Sequence, residues 1–218
     1  MRRFFSHSIP ITNWRAPHQW ALSPLRVSIL VVGLTLFGIG DGLLIVSHLG
    51  NAPWSVLSQG LSRQLGISIG WATFIVSAAV LLFWIPFKQR PGIGTLANIL
   101  VIALAIDLTV AWVPAPEALV VRALLVIIGI ALVGAGSALY LTCGLGAGPR
   151  DGLMTAIHYA SGVSVARVRA GIESVVLALG GLLGGRVGVG TLLFALGIGG
   201  AVALWLTVVG LFTKNTAQ

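Results

Sequence analysis

The chain has 218 residues, 57% of them apolar and only 8% charged, with a mean hydropathy of +1.02. A soluble domain carries about a quarter of its residues as Asp, Glu, Lys and Arg, so a water-soluble globular enzyme and a disordered chain are both excluded. Thirteen Lys and Arg against five Asp and Glu give a formal charge of +8. The excess is spread between apolar segments, which points to anionic lipid and membrane topology, not nucleic acid.

In chain order, a basic tail (1–26) precedes six apolar stretches, 27–48, 67–87, 93–113, 119–142, 164–184 and 188–212. Each is about 20 residues, the length a helix needs to cross ~30 Å of hydrocarbon. The first is too long for a secretory signal and no small-residue cleavage site follows it. Between the first and second spans lies Pro53 to Gly66, and between the fourth and fifth lies Pro149 to Gly162. Proline favours the first helical position and glycine the position past the end. Each segment predicts a helix of about 14 residues, roughly 21 Å long. That is too short and too polar to cross, so these are half-helices, either re-entrant or at the interface.

With six crossings and both termini on the cytoplasmic side, Arg2, Arg3, Arg15, Arg26, Lys88, Arg90, Arg150, Arg167, Arg169 and Lys214 fall inside. Only Arg63, Arg122 and Arg186 fall outside, as the positive-inside rule requires. Eight crossings give nearly as good a split, and helix length decides for six.

The two prolines are 96 positions apart, and that offset runs on without a gap. It pairs Gly38 with Gly134, Gly40 with Gly136, Gly66 with Gly162 and Arg90 with Arg186, and it aligns Gly92-x-Gly94-Thr95-Leu96 with Gly188-x-Gly190-Thr191-Leu192. The expected organisation is therefore two membrane units, 27–113 and 119–212, followed by a short tail (213–218). Three crossings per unit would set the second upside down relative to the first. Inverted repeats with paired broken helices point to a transporter's central site, because the first free amides of a half-helix attract polar or anionic groups.

Ionisable groups inside a membrane mark function by default. Asp41 and Asp107 each lie about 14 residues into their spans, ~21 Å from the inner end. Either the two carboxylates pair and share a proton, or each hydrogen-bonds neighbouring backbone or lies near the headgroups. Arg150 and Asp151 open the second half-helix, while Arg169 and Glu173 sit one turn apart on the fifth span. The glycine-rich stretch 143–148 gives the chain enough reach to bring all four together, as an ion-pair lock, a solute site or both. The substrate-binding candidates are Pro53, Ser55, Pro149, Arg150, Asp151, Arg169 and Glu173; the proton-coupling candidates are Asp41, Asp107 and Glu173. Cys143, the single cysteine, reads as a buried small residue. His48 and His158 read as hydrogen-bonded or interfacial, and Asn98 as interhelical glue. Trp14, Trp20, Trp54, Trp71, Trp84 and Trp112 read as an aromatic belt. No nucleotide, metal or hydrolase motif is present, so neither enzyme chemistry nor a cofactor is expected.

Gly50-x-x-Pro53-Trp54-x-Val56-Leu57, Gly144-Leu145-Gly146-Ala147-Gly148-Pro149-Arg150-Asp151-Gly152-Leu153-Met154 and Arg169-x-x-x-Glu173 resemble the YczE/YyaS/YitT-like bacterial membrane proteins, the YczE type above all. The resemblance spans roughly residues 25–212. It implies a bacterial inner-membrane protein and no particular substrate. The leading expectation is an all-α permease or secondary transporter for a small polar or anionic solute. The alternatives are a non-transport scaffold for a membrane-associated enzyme, with a protein partner or homo-oligomer, and a passive channel.

Overall fold

The computed structural model describes residues 9–215, without the side chains of Lys214 and Asn215. Arg2 and Arg3, and the Lys214 side chain, all counted above toward the inner face, lie outside the described residues. Among those residues the chain forms eight α-helices: α1 (Pro24–Ser47), α2 (Pro53–Leu65), α3 (Ile69–Leu82), α4 (Ile93–Trp112), α5 (Leu119–Cys143), α6 (Pro149–Ser161), α7 (Val165–Leu182) and α8 (Val189–Asn215).

Local chemistry sets the ends of these elements. The Ser23 hydroxyl accepts from the Arg26 amide at 3.3 Å and caps α1. The short helices α2 and α6 begin at their prolines and stop where Gly66 and Gly162 turn left-handed, at φ 65° and 71°. Their bounds are 96 residues apart, and α3 with α7 and α4 with α8 also start 96 apart. The chain turns sharply between α2 and α3, whose axes differ by 114°, so the pair folds back and does not continue as one rod.

Four helices, α1, α4, α5 and α8, are long and apolar enough to cross a membrane, or five spans if the bent α2–α3 pair is counted as one. The expected span 67–87 is cut at Leu82: a run of turns covers 83–88, where Pro86 has no amide to continue a helix. The expected span 164–184 contains the helix α7, whose 18 residues carry Arg167, Arg169 and Glu173 and which is not among the helices apolar enough to cross.

The core forms where α1 crosses α5. Gly33 lies against Gly136 and Leu139, and Gly40 against Gly129 and Val133. Rising numbers on one helix meet falling numbers on the other, so the two run antiparallel. A Cβ on Gly40 would lie 2.6 Å from the Gly129 carbonyl oxygen, and one on Gly129 would lie 2.7 Å from that of Gly40. Only glycine permits this approach. Helix α4 packs on α1 and α8 on α5, while α2 lies along α7 and α6 touches α3 less extensively.

The linkers into the short helices are clasped crosswise. The Gly94 amide at the start of α4 donates to the Leu145 carbonyl at 2.8 Å, and the Gly190 amide at the start of α8 donates to the Leu49 carbonyl at 2.8 Å. The two Gly-x-Gly-Thr motifs thus hold the linker of the opposite half. At one end the tail also packs down, with the Ala16 amide on the Cys143 carbonyl at 2.8 Å and the Ile93 amide on the Gln19 carbonyl at 3.2 Å. Leu100, Leu104 and Leu108 on α4, and Leu192, Leu196 and Leu204 on α8, stay exposed, an apolar surface suited to hydrocarbon.

Candidate functional site

A cavity of about 180 Å³ lies at the centre, and all eight helices line it. That is room for on the order of six waters at ~30 Å³ each, or one small solute. Seven pairs of lining residues fall on positions 96 apart: Phe37 and Val133, Asp41 and Ser137, Ala52 and Gly148, Trp54 and Arg150, Ser77 and Glu173, Asn98 and Phe194, Ile102 and Ile198. In four of these seven pairs one partner is charged or polar and the other differs from it in kind. The cavity is therefore built from equivalent places filled unequally.

Asp41 forms its closed end. Its side chain is 1% exposed; Oδ2 accepts from the Ser55 hydroxyl at 2.8 Å, and Oδ1 is buried with no hydrogen-bond partner. The Arg150 guanidinium lies 5.2 Å over the Trp54 ring, within the range of a cation–π contact. It makes no hydrogen bond to the described residues, so its donors are free toward the cavity. Asp151 accepts from the Tyr140 hydroxyl, and Arg169 pairs with Glu173 at 2.8 Å, the one ion pair among the described residues. Asp151 is exposed, and the Arg169 and Glu173 side chains are 44% and 21% exposed, so the cavity is reached from the α6–α7 side. Charge runs from the exposed Asp151 and Arg169 to the buried Asp41.

The structure thus brings Asp41, Pro53, Arg150, Asp151, Arg169 and Glu173 to one cavity. Ser55 acts through Asp41, and Pro149 through its carbonyl, which accepts from the Trp84 indole at 2.9 Å. Asp107 stands elsewhere. Its carboxylate accepts from the Ser68 hydroxyl and, at 2.6 Å, from the Gly70 amide, so it caps the N-terminus of α3. It does not line the cavity beside Asp41, and the expected carboxylate pair is replaced by the backbone-capping alternative. A carboxylate at a helix start is favourable on its own.

Two belt tryptophans are also reassigned. Trp54 and Trp84 are 6% and 3% exposed; Trp54 lines the cavity and Trp84 packs on Gly152 of α6, whereas Trp20, Trp71 and Trp112 face outward. An aromatic near a span end looks the same from sequence whichever way it points. Tyr140, Ser77 and Ser137 escaped the sequence reading altogether; a hydroxyl on an apolar helix carries no signal until its facing partner is known. Asn98, read as glue, lines the cavity.

Residues 24–207 match a family described as "Family of unknown function (DUF6198)". The chain belongs to the DUF6198 family. An "Uncharacterized protein" of Haemophilus influenzae is 49% identical over 201 residues, 92% of this chain and 92% of the relative. The "Uncharacterized membrane protein YczE" of Bacillus subtilis is 33% identical over 79% of this chain and 81% of its own length. The same organism's "Uncharacterized protein YyaS" is 28% identical over 74% and 83%. No solved structure matches. With these relatives and its apolar helices, this DUF6198 chain is a multi-pass helical membrane protein.

Proposed function

We propose that the protein is a small-solute permease or secondary transporter of the bacterial inner membrane, with six passes arranged as two inverted three-pass units and both termini inside. The observation that carries the reading is the central cavity, in which Arg150 offers unbonded donors and a buried Asp41 oxygen lacks a partner. The antiparallel α1–α5 crossing and the helix bounds recurring at 96 residues support the inverted arrangement. In this reading Arg150 and Arg169 orient an anionic or polar solute, and Glu173 or Asp41 carries a coupling proton. Asp107, with both oxygens occupied, is the least suited to that role. Exposure at Asp151 and Arg169 corresponds to a state open on the α6 side.

The test is side-specific labelling of Arg150→Cys and Asp151→Cys in a Cys143→Ala background, with a membrane-impermeant thiol reagent applied to sealed vesicles of each orientation. Labelling from both sides is expected, because alternating access exposes the site to each in turn. Protection from both sides would overturn the transport reading in favour of a scaffold for a membrane-associated enzyme.

A further inference from the structure

The three arginines on the minority side of the charge distribution, Arg63, Arg122 and Arg186, are far apart in sequence and converge on His48. The Arg186 guanidinium donates to the His48 carbonyl at 3.3 Å. Arg63 donates to the Gly184 carbonyl, two residues from Arg186. The α1–α5 crossing, in which Leu44 touches Gly129, carries His48 toward the start of α5 and Arg122. The charges of Arg186, Arg122 and Arg63 all reach the imidazole.

Among the described residues none of these three arginines pairs with a carboxylate. Glu117, the acidic residue nearest in sequence to Arg122, is exposed and forms no ion pair. Two nitrogens, Arg122 Nε and His48 Nδ1, are buried without a hydrogen-bond partner among the described residues. Buried polar groups in native proteins nearly always have one. The setting is also preorganised: the Arg186 amide donates to Gln59 Oε1 at 2.7 Å, and Asn51 Nδ2 donates to the same oxygen at 2.9 Å.

The opposite end of the molecule shows what usually fills such a place. Arg26 stands 96 residues before Arg122, and its guanidinium donates to the carbonyls of Trp14 and Ala21, at 3.1 and 3.4 Å. Gly144, the counterpart of His48, has Arg15 and Ala16 of the same tail beside it. The N-terminal segment supplies acceptors at one end, and the described chain supplies none to Arg122 at the other.

We propose that His48, Arg63, Arg122 and Arg186 form a binding site for a phosphate-bearing anion, separate from the central cavity. The anion supplies the acceptor oxygens that Arg122 Nε and His48 Nδ1 lack, and arginine forks match phosphate geometry. Two sources share this chemistry, a phospholipid headgroup and a free phosphate.

Thermal melting of the purified full-length chain in neutral detergent distinguishes them. One arm adds inorganic phosphate against sodium chloride of equal ionic strength; the other adds phosphatidylglycerol against phosphatidylcholine. A rise in Tm of roughly 5 °C is expected at saturation. A rise with phosphatidylglycerol alone assigns a headgroup, and a rise with both assigns the phosphate itself. Arg122→Gln and His48→Gly should each remove most of the rise, while Arg167→Gln should keep it. His48→Gly is the variant least open to misfolding, because His48 sits at φ 57°, a conformation glycine adopts freely. Native mass spectrometry of the same variants counts the retained lipid. The site is overturned if neither probe shifts Tm beyond its control, or if the shift survives both substitutions.

Discussion

Asp41 shows how one buried residue is held in place and left incomplete. A carboxylate taken out of water costs several kcal/mol unless its oxygens are satisfied, and Asp41 has one oxygen on Ser55 and one on nothing. Removing the single donor leaves both oxygens bare. Ser55→Ala should therefore cost about 1–3 kcal/mol, read as a lowered Tm in detergent. Asp41→Asn, which needs no counter-charge, should melt at or above the wild-type temperature. If Ser55→Ala melts like wild type, the hydroxyl is not what supports the carboxylate. Sequence alone placed Asp41 inside the membrane but gave no means of pairing it with Ser55. The two are 14 positions apart on different helices, and only the turn at His48 brings them together.

At the scale of elements, much of the architecture was legible because it is written in proline, glycine and a repeated spacing. Pro53 with Gly66 and Pro149 with Gly162 bound the two short helices to within a residue. What spacing does not carry is the face each element presents. Val56 backs onto Gly180 where α2 meets α7; in the other half the corresponding contact has Trp84 filling the hole left by Gly152. Large and small partners have changed places, and Trp84 therefore read as a belt residue. The α1–α5 crossing is the least forgiving contact. Gly129→Leu should cost about 2–3 kcal/mol and lower Tm by roughly 5–10 °C. Gly200→Ala on α8, where a Cβ would meet nothing within 4 Å, should gain about 0.5–1 kcal/mol. Equal responses from the two variants would remove the close-approach argument.

For the whole molecule, the six passes proposed above and the four or five spans identified by length and composition differ over α3 and α7. α3 is only 14 residues long, and α7 is charged where it borders the cavity. In the proposed six-pass arrangement α3 and α7 turn a polar side to a wet interior, and such a helix need not be apolar all round. The topology is open to direct test. In sealed inside-out and right-side-out vesicles, Gln89→Cys should label from the cytoplasmic side and Glu117→Cys from the opposite side. Labelling of both from one side removes the pass between them and, with it, the inverted arrangement.

Trp54 and Arg150 occupy corresponding places and touch each other. In the proposed inverted arrangement such a contact lies where the two halves meet, so in a dimer of separate identical chains the same residue would have to face itself. Two guanidiniums would repel, and two indoles would leave the chamber without its free cation. Joining both halves in one polypeptide lifts that restriction and allows a lopsided chamber on an evenly built frame. The covalent link between α4 and α5 is thus itself a chemical asset: a split-gene version assembled from two first halves would fold around an interior that has lost its positive charge.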